Sequence, residues 1–559
     1  MTEKSRLQYR KIIPLLVFVA GSIFICGSLL PQMPLLITDN GNKYMVMRNF
    51  AEYGTLAMRH ELPSLFPKGG FHFQTAPDGT VHSFHSWVLP VICAPFYLIA
   101  GKNGALLPVW LAGLGIVLLM TCGDKRTRFA LWGLLLTAPF WVYSVMLWEM
   151  VPSMLAALGG FILLKRRKYL LAGIMFGLGI WLREELYILG FIAGSLILCQ
   201  RRWREALQLS AGALIAVLPL WLINYSIYGH ILGLHGATYA LNNRTGTFSL
   251  LEELSGVIFN YYQHLLRFET LSPTTSLTLS LIGTAGLILP GLVQNIRIKL
   301  AGLTIFTIID VIFILAIFHT PSPLFCCGVT MSLLFSLPLA AGYFINLRQL
   351  LSDRNSAWRF LARVITVYIV AVPPLLTRFD IGLTIGARHY MCIMPLLLLL
   401  SFRGFARMQC SIKIKQLFLT VLSIAGIALQ IWGFHTLYLS SGHSSKFEKT
   451  IAQHPAKTVI SDVFFLPEQT PEIFFNKVCL EVISAEQADT ALAYLKEKQI
   501  TEFILILGRN NNFRRMDNAV LKKLLDNYPL CAAPVNADAA PGMPLFIAHC
   551  RRAIAPAEK

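Results

Sequence analysis

The chain has 559 residues, 55% of them hydrophobic and 14% charged, with a mean hydropathy of +0.59. A soluble core cannot absorb that much apolar surface, so lipid must take up the rest. The net charge of +19 does not mark a nucleic-acid binder, because the basic residues fall in short clusters between apolar runs, the positive-inside pattern of cytoplasmic loops.

The first apolar run, Ile12 to Leu30, is too long for the core of a signal peptide and lacks a small-x-small cleavage site. It leads into Leu36-Ile37-Thr38-Asp39-Asn40-Gly41-Asn42-Lys43-Tyr44, which puts a carboxylate where the chain first leaves the membrane. Seven basic clusters then act as cytoplasmic pins: Lys4 to Lys11, Lys125 to Arg128, Lys165 to Lys168, Arg201 to Arg204, Arg297 with Lys299, Arg348 to Arg363, and Arg403 to Lys415. Between them the spans read as 12–31, 105–123, 128–148, 150–164, 168–182, 186–200, 205–225, 274–294, 300–319, 325–346, 359–376, 389–402 and 415–435. That is about thirteen crossings of a hydrocarbon layer roughly 30 Å thick.

Residues 32–104 form the first external loop. In it, Tyr44 to Met58 is weakly amphipathic and suits the interface. Pro77-Asp78-Gly79-Thr80 is a turn signal, followed by His82-Ser83-Phe84-His85-Ser86-Trp87. The apolar stretch Trp87 to Ala100 carries Pro90 and Pro95. Counted as a span it would invert every later pin, so it reads as a helix lying on or dipping into the outer face. A second outer loop, about 226–273, holds Tyr225, Tyr228, His230, His235, Tyr261, Tyr262 and His264, aromatic residues of the kind that stack on sugars or mark the headgroup belt. With this topology Asp39, Glu149, the Arg183-Glu184-Glu185 cluster, Arg378, Asp380, Arg388 and His389 all fall on the outer side. Ionisable groups at membrane depth face protein or water and are functional candidates by default.

From about 436 to 559 the chain reads as ordinary soluble sequence, placed outside by the odd number of spans. Thr458-Val459-Ile460 and Phe503 to Leu507 read as buried strands, with the capping box Ser484-Ala485-Glu486-Gln487 opening a helix to about Lys498 between them. Strand, helix, strand predicts a small α/β domain. Of the eleven cysteines, most are small core hydrophobes within apolar runs. Cys531 and Cys550 both lie in the tail, where an oxidising compartment would allow a bridge.

An outer acid after the first span, a long first loop with surface helices and a second outer acid, Glu149, after the third span resemble the GT-C-type glycosyltransferases. These multi-span enzymes take a sugar from a polyprenyl-phosphate carrier. Leu171 to Ile180 with its glycines, followed by Arg183, resembles the family's Gly-rich span ending in a basic residue. Gly386-Ala387-Arg388-His389-Tyr390 with Pro395 resembles its late Gly-x-Arg-Tyr stretch. The similarity covers roughly residues 10–435 and lies closer to the aminoarabinose and mannosyl transferase branch than to the oligosaccharyltransferases. The family's Pro-Pro before the dipping helix is replaced here by His85-Ser86-Trp87. The resemblance implies a GT-C-like membrane domain over 1–435 with an extracytoplasmic α/β domain over 436–559, in the inner (plasma) membrane. It also implies a polyprenyl-phosphate-linked sugar donor and a lipid, glycan or protein acceptor.

Each candidate residue has a chemical and a plain reading. In the resembled family the acid at the position of Asp39 is catalytic, and transfer to a hydroxyl needs a base; the plain reading is a helix N-cap. Glu149 suits acceptor orientation, a metal, or an ion pair with Arg183, or else a charge at a helix end. Arg183 and Arg388 suit a clamp on the departing phosphate, for which the guanidinium fork is made; the plain reading is snorkelling, or pairing with Glu184 or Asp380. His82 and His85, three apart, have the spacing to join the acids around a divalent metal, but wet-loop histidines need no metal, and no ligand set is assigned. Together with Tyr44 they are weaker acceptor or sugar contacts. Gly173 and Gly177 are explained by close helix packing. The rival functions are a lipid-linked glycan flippase or transporter, a glycan polymerase or ligase using a diphosphate carrier, and a non-catalytic envelope-assembly scaffold.

The pins make a topological prediction. Single cysteines at Asp78 and Ile500 should react with an impermeant thiol reagent from outside, and those at Arg126 and Arg202 should not. Labelling at Arg126 from outside would invert the arrangement.

Overall fold

The computed structural model describes residues 21, 27, 30, 38–58, 73–76, 78–123, 125–233, 250–268, 271–319, 332–375, 387–463, 466–508, 516–531, 535–540 and 543–552. Most of the first expected span, together with His235, Arg378 and Asp380, lies outside them. Among the described residues, seven helices are long and apolar enough to cross a membrane. Several expected spans coincide with shorter helices or with broken ones.

In chain order, α1 is Thr38–Tyr53, β1 Phe73–Thr75, β2 Val81–Ser83, α2 Val88–Ala105, α3 Leu107–Thr121, α4 Lys125–Thr137 and α5 Phe140–Ser144. Next come α6 Met150–Lys165, α7 Tyr169–Ile180, α8 Glu185–Cys199, α9 Trp203–Tyr228 and α10 Leu250–Tyr261, with a π-helical turn at Tyr262–Leu266. The expected span 128–148 is thus split between α4 and α5. The bundle continues through α11 Pro273–Leu292, α12 Ile296–His319, α13 Leu333–Ser336, α14 Ala341–Phe344 and α15 Leu347–Leu351. It closes with α16 Ser356–Leu375, a 3₁₀ turn at Arg388–Ile393, α17 Met394–Arg407 and α18 Ile412–Ala452.

Close packing of α7 on α9 explains Gly173 and Gly177. A Cβ on Gly173 would lie 2.0 Å from the Leu209 carbonyl oxygen, and one on Gly212 would lie 2.0 Å from that of Leu170. The two helices therefore run backbone to backbone and parallel, which sets the ends of α7 and α9 at one end of the bundle.

The 41 residues of α18 span roughly 60 Å at 1.5 Å per residue, about twice the hydrocarbon thickness. The expected boundary at 435/436 falls inside this helix. Leu422 to Leu437 pack into the bundle core, whereas Phe447 and Ile451 belong to the core under the C-terminal sheet. That sheet comprises β3 Thr458–Ser461, β4 Val478–Glu481, β5 Glu502–Gly508, β6 Leu530–Cys531, β7 Val535–Ala540 and β8 Met543–Arg551. Its order is β4-β3-β5-β8-β6, with β7 also on β8. The first three strands are parallel and the β8 pairings antiparallel. Short helices α19 Leu466–Gln469 and α20 Pro471–Asn476, then α21 Ala485–Glu497 and α22 Asn518–Asn527, complete it. Ser484 and Gln487 close both bonds of the capping box that opens α21. Cys550 is disulfide-bonded, and Cys531 is the residue opposite it in the register.

Between bundle and sheet lie α1 and α2. In the Tyr44–Met58 stretch, Tyr44, Met45, Val46 and Met47 are buried, whereas Glu52, Tyr53 and Gly54 are exposed. Helix α2 begins where the surface helix was expected, runs through Pro95 and breaks at Gly101, with φ 58°. By length and composition it is itself one of the seven helices able to cross a membrane. Ser86 and Trp87, just before it, donate to the Trp181 carbonyl at 2.9 Å and Asn224 Oδ1 at 3.0 Å; Lys102, near its other end, pairs with Glu472 of α20 at 3.1 Å. Ile92, Leu98 and Ile99 form an exposed apolar edge.

The α7–α9 contact makes a stability prediction. Gly212→Ala should destabilise the folded protein by about 1–3 kcal/mol. Gly190→Ala, whose nearest neighbour would be Phe176 Cβ at 3.7 Å, should stay within about 0.5 kcal/mol. Thermal unfolding of the detergent-solubilised pair reads the difference, and equal melting would refute the backbone contact.

Candidate active site

Asp39 is placed by α1. It lies in the first turn of that helix rather than ahead of it, where the positive end of the helix dipole favours a carboxylate. Its Oδ1 is 3.4 Å from His85 Nε2, and its Oδ2 is 3.4 Å from Arg388 Nη1. These are long for charge-assisted bonds, so neither partner closes over the carboxylate. Arg388 comes from the 3₁₀ turn, whose preceding residue, Ala387, donates its N–H to Ser336 Oγ at 3.3 Å.

The rest of the charge converges on the same place. Arg388 Nε donates to His389 Nε2 at 3.1 Å, and His389 Nδ1 lies 2.6 Å from Glu185 Oε1. An Nε2 that accepts from a guanidinium is unprotonated, so Nδ1 carries the proton and gives it to Glu185. Glu185 also takes Arg183 in a two-bonded fork: Nε donates to Oε2 at 2.9 Å, and Nη2 pairs with Oε1. The partner of Arg183 is thus Glu185, the first residue of α8, and neither Glu184 nor Glu149. His264 packs edge-on against His389 at 5.0 Å, and neither of its ring nitrogens has a hydrogen-bond partner among the described residues.

Glu149 has a different partner from those expected. It pairs with Lys43 Nζ at 2.9 Å, both side chains nearly fully buried, and the ammonium lies over the Trp148 ring. One turn along from Asp39, Lys43 is on the same face of α1 by the i, i+4 rule. That spacing was visible in the sequence and points to Lys43 as part of the site. Asn40 of the same helix donates to the Leu147 carbonyl at 3.0 Å, so α1 is stitched to the turn before α6.

Of the weaker candidates only His85 reaches the cluster. His82 bonds Thr80 Oγ1 at 2.7 Å and packs edge-on against Tyr228; burial pushes its pKa down, so it is neutral at pH 7. Tyr44 donates to Glu472 Oε1 at 2.8 Å and is a domain contact. Among the described residues no group of three or more His, Cys, Asp or Glu side chains is placed to hold a metal ion.

The sheet domain grips α1 two residues from Asp39. A Cβ at Gly41 would lie 1.5 Å from the Glu468 carbonyl oxygen, so only glycine permits this approach. Asn42 Nδ2 donates to Glu468 Oε1 at 3.5 Å. Ser83 donates its hydroxyl to Asn42 Oδ1 and accepts the His85 N–H at 3.0 Å. Glu472 collects Tyr44, Arg48 Nη1 at 2.6 Å and Lys102. Burial alone would raise the Glu472 carboxyl, but Lys102, the Tyr44 hydroxyl and Arg48 outweigh it and hold the pKa below the ordinary value.

A group with a depressed folded pKa stabilises fully above its unfolded value, about 4.3 for Glu, and loses that contribution as pH falls through the folded value. Protection of the α1 amides, taken relative to their intrinsic exchange rates at each pH, should therefore be high at neutral pH and fall in acid. Glu472→Gln should remove that component and loosen α1 at pH 7 by about 1–3 kcal/mol. Identical exchange profiles for the two proteins would show that Glu472 does not hold the helix.

No family model and no curated protein matches the chain. Among solved structures, the chain is similar to ArnT from Cupriavidus metallidurans bound to undecaprenyl phosphate. The identity is 13%, the match covers 96% of this chain and 97% of that one, and the TM-score is 0.48. The apo state of the same ArnT matches with the same identity and coverage at a TM-score of 0.44.

Proposed function

We propose that the chain is an integral membrane glycosyltransferase that moves a sugar from a polyprenyl-phosphate carrier to an envelope acceptor at the outer face of the inner membrane, with inversion. The observation that carries this reading is the setting of Asp39. One carboxylate oxygen faces an arginine that belongs to a linked Arg-His-Glu-Arg set, and the other faces a histidine. That is the arrangement a base needs beside a departing anion.

In the reaction the acceptor hydroxyl attacks the sugar's C1 from the side opposite the phosphate. Its proton passes to Asp39. The C1–O bond to the phosphate breaks with its electron pair going to the phosphate oxygen, and the added charge is met by Arg388, backed by Arg183. Because Arg183 spends two donors on Glu185, Arg388 carries the larger share. Glu149, neutralised by Lys43, keeps α1 in place rather than moving protons. The lipid tail of the donor stays in the bilayer and enters between helices. The outer location is supported by the basic pins and by the disulfide at Cys550, a bond of oxidising compartments.

One observation favours a transporter instead. Asp310, within α12, is fully buried, and neither carboxylate oxygen has a hydrogen-bond partner among the described residues; such acids mark ion pathways. Asp39→Asn keeps the shape of the side chain but cannot take a proton. In proteoliposomes with a polyprenyl-phosphate sugar, it should lower product formation by roughly 10²–10⁴-fold with normal insertion, and Asp310→Asn should not. Wild-type product from stable Asp39→Asn protein would remove the base. Dependence of lipid-linked sugar translocation on Asp310 alone would establish the transporter reading.

A further inference from the structure

At the end of α7 away from Arg183, the chain makes the same tight connection twice. One joins α6 to α7 and the other joins α8 to α9. Each closes with the paired bonds of a Schellman motif. Arg167 and Lys168 donate their backbone N–H groups to the Leu164 and Leu163 carbonyls, both at 2.9 Å, and Arg201 and Arg202 donate theirs to Leu198 and Ile197 at 2.8 and 3.3 Å. In each, the residue that bends the chain is an arginine in the left-handed region, Arg167 at φ 60° and Arg201 at φ 58°. Glycine is the default there, because a Cβ is disfavoured in that conformation. The next residue, Lys168 or Arg202, stands immediately before a helix with no side-chain cap. Asn, Asp, Ser or Thr is preferred at that position, and the helix dipole opposes a cation. Both connections thus carry cations at the two positions where local structure favours them least. The charge rule for cytoplasmic loops asks for lysine and arginine, but not at those positions.

The two connections meet. Because α7 and α9 run parallel, with Gly212 against the Leu170 carbonyl, their starts lie side by side. The Arg202 guanidinium sits 5.5 Å from the Tyr169 ring centroid and donates to the Tyr169 hydroxyl. Arg167 lies within electrostatic range of Glu205. Residues 165–168 and 201–204 together carry seven cations. The acid that accompanies them, Glu205, is taken by Arg202 at 3.3 Å. Arg166, Arg167, Lys168, Arg201 and Arg204 are exposed, and their side chains have no hydrogen bond or ion pair among the described residues. Next to the cluster the surface turns apolar at once, with Leu170, Leu171, Trp203 and Leu207 exposed. That is a helix surface in hydrocarbon, with a tryptophan at headgroup level. The cations therefore lie at the depth of lipid phosphates, and charge complementarity selects an anion fixed at that depth.

We infer that the paired α6–α7 and α8–α9 connections form a binding site for the phosphodiester headgroup of an anionic membrane phospholipid, with Arg167 and Arg201 as its principal contacts. The guanidinium fork matches two phosphate oxygens at once, and basic pockets between helix ends hold anionic headgroups in this way. An anion held there fixes the depth of α7, whose other end leads the chain into Arg183. The site uses neither donor nor acceptor, so it stands or falls independently of the transferase reading.

Two measurements on the full chain test it. The first is titration of the detergent-solubilised protein with dioctanoyl phosphatidylglycerol, read by microscale thermophoresis. Wild type should bind saturably, and more weakly as salt is raised. Arg167→Gly combined with Arg201→Gly should bind at least about tenfold more weakly. Arg354→Gln combined with Lys413→Gln removes two exposed cations from other clusters and should bind within about twofold of wild type. The second measurement is thermal unfolding in nanodiscs. In phosphatidylcholine the glycine variant should melt with wild type or above it, because glycine relieves both left-handed positions. Adding phosphatidylglycerol should raise the melting temperature of wild type and leave that of the variant unchanged. Arg204→Gln should bind severalfold more weakly and serves if the glycine variant is not recovered. Absence of saturable binding, equal binding by wild type and the glycine variant, or an equal loss in the Arg354 and Lys413 pair would overturn the inference. Protection by inorganic phosphate equal to that by phosphatidylglycerol would assign the cluster to a soluble anion and overturn it too.

Discussion

Everything proposed for the site depends on where α1 is held, and the buried pair between Lys43 and Glu149 holds it. Both charges are almost wholly out of water. Removing one partner of such a pair strands the other and typically costs 3–5 kcal/mol. The pair is therefore better read as a latch than as a source of stability. It fixes the rotation of α1 about its axis, and with that rotation the direction in which Asp39 points. Asn40 adds a second stitch to the same turn of the bundle.

The opposite side of α1 is closed by the sheet domain. The close approach of Glu468 to Gly41 and the three donors on Glu472 leave the helix no room to roll. The sheet domain is in turn aimed by α18, one helix whose lower part packs in the bundle and whose last turns pack under the sheet. A rigid helix carries position from membrane core to soluble core without a linker, so the domain acts as a structural cap on the Asp39 helix as well as a tail.

Around Asp39 the charges form one linked set, from Arg388 through His389 and Glu185 to Arg183. Two arginines so close together would repel. Glu185 sits between them with His389 as spacer, and this keeps a positive face towards the carboxylate while the buried charges stay compensated. The same logic separates the two acids: Glu149 faces the Lys43 ammonium, whereas Asp39 faces Arg388 and His85.

A large part of this was legible in the sequence. Apolar periodicity and basic pins identify a chain of membrane helices, because hydrocarbon tolerates little else. Gly173 and Gly177 read as packing residues, the capping box and two strands of the tail read locally, and Asp39, Arg183 and Arg388 stand out because ionisable groups at that depth are costly. What no local pattern contained were the pairings. Glu149 faces Lys43 rather than Arg183, Arg183 faces Glu185, and Tyr44 meets Glu472. The break between α4 and α5, the continuation of α18 beyond 435 and the burial of α1 belong to the same class. The sequence by itself determined which side chains cannot remain in lipid without a partner, since desolvation is a property of the group. Only the tertiary structure decided which partner each one has, because a partner hundreds of residues away is chosen by the helix packing that brings it within hydrogen-bond reach.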